Sequence, residues 1–339
     1  MAEKIRPILA LTMGDPVGVG PEIIVKALAD EQMYRVCRPL VLGDYPALER
    51  ARLALAPALQ LHLADRPGLG RYKLGTIDIL VLSQLQPGDL NYGQPTPAGG
   101  QAMVSYILKA IELAMDRRVA GMVTGPISKM AMNLAGYQYP GHTELLADKT
   151  GTKEVVMMLA GGDFRVVLAT IHCALAEVPR RLTQEGLVRL FHLTCQALAQ
   201  DFGLADEPLG VAALNPHAGE GGLFGHEEEE IIIPAVREAQ SRGLLVAGPY
   251  PADTLFWRHR QGEFAAIACM YHDQGLIPLK LLHFMDGVNV TLGLPIIRTS
   301  VDHGTAYSLA GTGRAAPDSL KAAIIMAAEM APKRFARMG

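Results

Sequence analysis

The sequence predicts an α/β fold with a largely parallel sheet, and three observations carry that prediction. Short apolar runs of strand length alternate with longer stretches of helical pattern along the chain. No internal repeat, low-complexity tract or clear linker interrupts the alternation. Half of the 339 residues are hydrophobic, so the chain can bury a large core, and its length favours about two domains.

The first candidate strand is "ILALT" (8–12), followed by a helix over 21–30. Pro21 suits the first turn of that helix and Glu22 suits its positive N-terminal end. Strands follow at "LVLG" (40–43) and "IDILVL" (77–82). The turn-rich "LQPGDLNYGQPTPAGG" (85–100) then leads into a long helix over 97–117. Beyond it lie strands at 121–125, 154–160 and 164–171, a helix at 183–202, a strand at 210–215 and a helix at 226–241. Strands at 265–271 and 289–293 and a helix at 317–331 complete the pattern. With two domains, the chain would cross between them twice.

Several function classes are disfavoured. A net charge of -3 offers no basic excess for nucleic acid. Cys37, Cys173, Cys195 and Cys269 lack CxxC spacing and suggest a reducing compartment rather than a disulfide framework. No apolar run approaches a membrane span, and the first residues lack a signal-peptide core. The expectation is a soluble cytoplasmic protein.

"LTMGDPVGVGPE" (11–22) invites a dinucleotide-loop reading, because it follows a strand and Asp44 ends the next one. The G-x-G-x-x-G fingerprint is incomplete, however: Ile23 stands where its third glycine belongs. Asp44 also reads as a turn residue in "GDYP".

A stronger signal is three histidines at three strand ends. "FRVVLATIH" ends in His172, "GVAALNPH" in His217 and "AAIACMYH" in His272. Ligands of open α/β sheets bind beyond the carboxyl ends of strands. Three imidazoles suit a borderline divalent ion such as zinc, cobalt or manganese and leave positions open for a substrate. Asp273 could orient a ligand or act as a base, and Asp253 in "PADTLF" is a helix cap or a site acid. In "YPGHTELL", His142 and Thr143 form either a helix start or a substrate clamp. Lys280 either snorkels to solvent or, with Arg298, meets a phosphate or carboxylate. The acidic run 227–230 reads as a solvated face near a helix start.

The ordered motifs "GDPVGVGPE", "TGPISK", "GHTELLA", "NPHAGEGG", "PADTLF", "MYHDQG", "GVNVTLGLP" and "RTSVDHGTA" cover almost the whole chain. Together they resemble the 4-hydroxythreonine-4-phosphate dehydrogenase family of vitamin B6 biosynthesis, the PdxA family. The resemblance implies NAD-dependent (or NADP-dependent) oxidation of 4-phosphooxy-L-threonine, followed by decarboxylation. It implies one divalent ion per site (zinc, magnesium or cobalt) on His172, His217 and His272, with His172 supplied across a homodimer interface. Substrate contacts would fall to His142, Thr143, Lys280, Asn289 and Arg298, with Asp253, Asp273 or Lys280 as the base. The implied fold has two α/β domains with a cleft between them, like isocitrate and isopropylmalate dehydrogenases and unlike a Rossmann fold. One domain would comprise 1–125 plus 275–339 and the other 126–274, the latter carrying metal ligands and dimer contacts. NAD adenosine would meet the turn 302–315, through Gly304, Thr305, Ala306, Gly311 and Gly313. The chain reads "IHCAL" (171–175) where many members read "THLPL", and "TMGDP" resembles a branch acting on phosphorylated threonates. A sister dehydrogenase of 4-phosphothreonate or another vicinal hydroxy acid is therefore the nearest alternative, and a phosphate acetyltransferase-like transferase a more distant one.

Overall fold

The computed structural model describes residues 6–336. It begins with β1 (Ile8–Thr12), α1 (Gly20–Leu28), α2 (Glu31–Val36), β2 (Arg38–Asp44), α3 (Tyr45–Leu55), β3 (Gln60–Leu63) and β4 (Thr76–Ser83). Next come α4 (Pro97–Met115), β5 (Gly121–Thr124), α5 (Lys129–Leu134), α6 (His142–Thr150), β6 (Val156–Gly161), β7 (Phe164–Leu168), α7 (Val178–Arg181) and α8 (Gln184–Ala197). The remainder is β8 (Leu209–Ala212), α9 (Ile233–Ser241), β9 (Val246–Tyr250), α10 (Ala252–Arg260), β10 (Ala266–Cys269), α11 (His272–Leu282), β11 (Val288–Leu292), β12 (Arg298–Val301) and α12 (Asp318–Ala336).

The chain divides into two compact units, Met1–Glu154 with Leu294–Pro332, and Val155–Gly293 with Lys333–Gly339. These boundaries differ from 125/126 and 274/275, for a packing reason. Helices α5 and α6 lie against α4, which keeps 126–154 with the first unit. Helix α11 packs on β7, and β11 pairs with β6, which keeps 275–293 with the second.

In the first unit the strand order is β3-β4-β2-β1-β5-β12, and every neighbouring pair is parallel. Its central strands are apolar runs buried on both faces, as Leu9, Ala10 and Leu11 show. Thr96 starts α4 by accepting from Gly99 N at 3.1 Å, just ahead of Pro97. In the second unit the order is β11-β6-β7-β10-β8-β9. The pairs β11/β6 and β6/β7 are antiparallel, while β7/β10, β10/β8 and β8/β9 are parallel. The largely parallel α/β sheet read from the sequence is thus present.

Three strands escaped the sequence pattern for identifiable reasons. β3 is an edge strand with no fully buried residue, β9 is an edge strand carrying Pro249, and β12 opens on a charged residue. The helix expected over 183–202 ends in a wider π-type turn at Leu198–Phe202. Among the described residues, no helix is long and apolar enough to cross a membrane.

Candidate functional site

The glycine-rich segment 13–20 packs against its own chain. A Cβ on Gly20 would lie 2.0 Å from Met13 O, one on Gly14 2.4 Å from Pro126 O, and one on Gly18 3.0 Å from Thr305 O. The close approach these glycines permit is between three stretches of this polypeptide. The backbone donors are engaged too, Asp15 N by Pro126 O and Val19 N by Thr305 O. Asp44 is fully buried; it caps α3 through Ala47 N and accepts from Ser83 Oγ and Leu85 N.

The strand-end histidines follow β7, β10 and β8, which are neighbours in that order and parallel. All three therefore leave the same edge of the second unit's sheet. Cross-bonds hold their loops. Ala169 N and Thr170 N donate to Cys269 O and Met270 O, and Thr170 Oγ1 donates to Met270 O at 2.7 Å. Gln274 accepts from Met270 N and donates to Ala213 O, both at 2.7 Å, so it links the ends of β10 and β8. The His172 and His272 rings have centroids 5.8 Å apart. They line a cavity of about 540 Å³ together with Thr170, Tyr271 and Asp273. Asp273 Oδ1 lies 2.7 Å from His272 Nδ1, the second partner that a metal-binding imidazole typically has.

His217 sits on the next strand end, with its ring 6.1 Å from that of Phe224. Its backbone is left-handed (φ +53°), as are Ala218 and Glu220, a strained run of the kind that collects at functional sites. Glu228, 1% exposed, anchors the base of this loop by accepting from Leu214 N, Asn215 N and Asn215 Nδ2. The acidic run is thus not wholly a solvated face. Among the described residues, no group of three His, Cys, Asp or Glu side chains converges to hold an ion within one chain. The donor set still fits a divalent ion in kind: two adjacent imidazoles, one of them held at Nδ1 by a carboxylate, with a third on the neighbouring strand end. A larger cavity, about 700 Å³, lies at the opposite end of these strands around Phe164, Arg165 and His259 and holds none of the predicted site residues.

His142 and Arg298 come together in the first unit. Arg298 opens β12 and is 3% exposed, with Nη2 donating to Thr124 Oγ1 at 2.8 Å. Burial pushes its guanidinium down to about 9, which leaves it cationic at neutral pH. His142 begins α6 and is a half-buried residue overall, but its Nε2 is sealed from solvent and has no protein partner. Burial, reinforced by Arg298, holds its pKa well below the ordinary imidazole value, so the ring is neutral. A neutral ring beside a buried cation can hydrogen-bond a hydroxyl while the cation takes an anionic group.

Thr143 is half-buried beside His142 in α6, and Lys280 and Asn289 are half-buried on α11 and β11 of the second unit. Asp253 is exposed in the first turn of α10, which follows β9, the next strand in the same row. In the turn 302–315, Gly304 is exposed, with no atom within 4 Å of where a Cβ would sit, and Ala306 is left-handed at φ +42°. The amides of Gly311 and Gly313 already donate to Glu22. Gly304 thus fits a cofactor contact better than Gly311 and Gly313 do, while Thr305 O is already bonded to Val19 N. Glu228, Gln274 and Thr170 were missed by sequence reasoning, because no local spacing signals them.

A profile of the family described as pyridoxal phosphate biosynthetic protein PdxA matches residues 35–327. The chain belongs to the PdxA family. A PdxA relative named 4-hydroxythreonine-4-phosphate dehydrogenase, from Desulforapulum autotrophicum, is 54% identical over 95% of each chain. A relative from Cupriavidus necator named D-threonate 4-phosphate dehydrogenase is 45% identical over 97% of this chain and 98% of its own. The solved 4-hydroxythreonine-4-phosphate dehydrogenase of Klebsiella pneumoniae superposes with a TM-score of 0.90 at 40% identity, covering 97% of this PdxA chain and 99% of that one.

Proposed function

We propose that this chain is a divalent-metal-dependent dehydrogenase that uses NAD or NADP to oxidise 4-phosphooxy-L-threonine. The product, 2-amino-3-oxo-4-phosphooxybutanoate, loses carbon dioxide to give 3-amino-2-oxopropyl phosphate. The observation that carries this reading is the row of His172, His272 and His217 on neighbouring parallel strand ends, in a chain 54% identical to a relative of that name. A divalent ion bound by these imidazoles would supply Lewis acidity to a substrate hydroxyl, and a bound nicotinamide would accept hydride.

The chain's own residues bind and orient the substrate. Arg298 and Lys280 carry positive charge to its phosphate and carboxylate, His142 offers a neutral ring, and Thr143 and Asn289 add polar contacts. The hydroxyl proton passes to Asp253, Asp273 or Lys280; the bond between Asp273 and His272 suits Asp273 better to orienting that imidazole. A homodimer is part of the proposal. Ile277, Leu281, Phe284 and Met285 are 66%, 84%, 77% and 55% exposed in the single chain, an apolar surface that a second copy would cover.

The 45% identity to a D-threonate 4-phosphate dehydrogenase supports that compound as a second substrate reading. Both phosphorylated substrates should be assayed with NAD and NADP by NADH or NADPH absorbance, using metal-stripped and metal-restored protein. Metal-dependent turnover of 4-phosphooxy-L-threonine supports the first reading. Turnover of 4-phospho-D-threonate alone replaces it with the second, and no absorbance change with either removes both.

A further inference from the structure

The glycine-rich segment and the turn 302–315 are far apart in sequence and joined in the fold. We infer that Glu22 and Lys26 of α1 are positioning residues that hold this turn in register for a dinucleotide, an inference that rests on the proposed reading of the turn as the cofactor contact.

Glu22 and Lys26 are four residues apart, so they share one face of α1 about 6 Å apart. The segment they face is a turn in which Gly311 and Gly313 are both left-handed, at φ +81° and +68°. Glu22 Oε1 accepts from Gly311 N and Oε2 from Gly313 N, while Lys26 Nζ donates to Gly313 O at 2.6 Å and Ala315 O at 2.7 Å. The carboxylate takes two amides and the ammonium takes the carbonyls of Gly313 and Ala315. One helix face therefore meets alternate residues of the segment from 311 to 315.

Two further contacts fix the turn from other sides. Tyr307 OH donates to Asp15 Oδ2 at 2.6 Å, and burial and that carboxylate both raise the phenol's pKa, so it stays a donor. A Cβ on Gly311 would lie 2.4 Å from Tyr92, whose ring is itself covered by Arg50, the guanidinium carbon 3.8 Å from the ring centroid. With the 311–315 limb held this way and Thr305 O bonded to Val19 N, Gly304 is left exposed at the tip of the turn. Glu22 thus contributes to cofactor affinity without touching the cofactor.

The test uses the full chain, NADH as probe and three variants. Glu22→Gln keeps the shape but loses the charge and one acceptor oxygen. It should raise the Kd for NADH and the KM for NAD about tenfold, on the scale of one charge-assisted hydrogen bond. Metal affinity, kcat at saturating NAD and KM for the phosphorylated substrate should stay within about twofold, less than a typical hydrogen-bond effect. Lys26→Met should act in the same direction, and Lys26→Arg, which retains donors for both carbonyls, should restore affinity. Gly304→Val checks the underlying reading, since nothing lies within 4 Å of the added Cβ and the turn can accept it. Loss of NADH binding in Gly304→Val with unchanged binding in Glu22→Gln overturns the positioning role alone. Unchanged NADH binding in Gly304→Val overturns the cofactor reading of the turn, and the inference with it. An equal loss of metal affinity in Glu22→Gln marks a general structural defect and also overturns the positioning role.

Discussion

His142 and the strand-end histidines carry the same imidazole into opposite surroundings. His142 has its Nε2 sealed, a guanidinium nearby and a pKa held low by burial. His172 and His217 are exposed, on segments that follow β7 and β8, and His272 is half-buried at the first position of α11, just past β10. The contrast separates two ways of preparing a ligand group. Burial keeps His142 neutral before anything binds, at a desolvation cost the fold already bears. The strand-end rings are instead aimed by their loops, through Thr170, Gln274 and Glu228, and keep open faces for an incoming ion or molecule.

Breaking the exposed set should have the largest effect. His217→Ala or His272→Ala should lower metal-dependent NAD reduction by at least about a thousandfold and reduce bound metal in parallel. Full activity with metal still bound in either variant removes that residue from the ligand set. On the buried side, Arg298→Met should raise the KM for the phosphorylated substrate about a hundredfold, as loss of a buried charged anchor does, and leave metal content unchanged. Metal loss in that variant would contradict the separation of the two environments.

Smaller effects sharpen the comparison. Glu228→Gln should cost about 2 kcal/mol of stability by weakening a buried carboxylate's bonds to two amides and an asparagine, read as a lower denaturant midpoint. An unchanged midpoint would show that the loop before His217 is held by other contacts.

The smallest effect is a pH slope. The folded pKa of His142 lies below its ordinary value of 6.5, so the unfolded chain binds a proton that the folded chain resists. Its stabilising contribution is complete above about 6.5 and is lost as pH falls through the folded value. His142→Gln should therefore lose less stability than the parent chain on acidification from neutral pH. Equal Tm-versus-pH slopes would place His142 in a wetter setting than its sealed Nε2 indicates.

Much of this was legible in the chain itself. The apolar runs that end in His172, His217 and His272 locate strand ends, because a buried parallel strand is a short apolar stretch and its loop turns polar. Helix starts at Pro21 and Pro97 were equally plain. Other features depend on which strands become neighbours. Gln274 reaches Ala213 and Glu228 reaches Leu214 because β10 lies beside β8, which no local spacing announces. The glycines at 14, 18 and 20 look like a ligand loop in isolation. Their role is set by Pro126 and Thr305, residues far along the chain.

The strand order also bears on how the chain acquires its chemistry. β10 comes after β8 in the sequence, yet it occupies the place between β7 and β8. Until it inserts there, the loops after β7 and β8 lack the partner strand through which their bonds are made. A chain emerging from the ribosome therefore completes its row of imidazoles in one late, non-local event, at a loop-closure cost spanning the intervening segment.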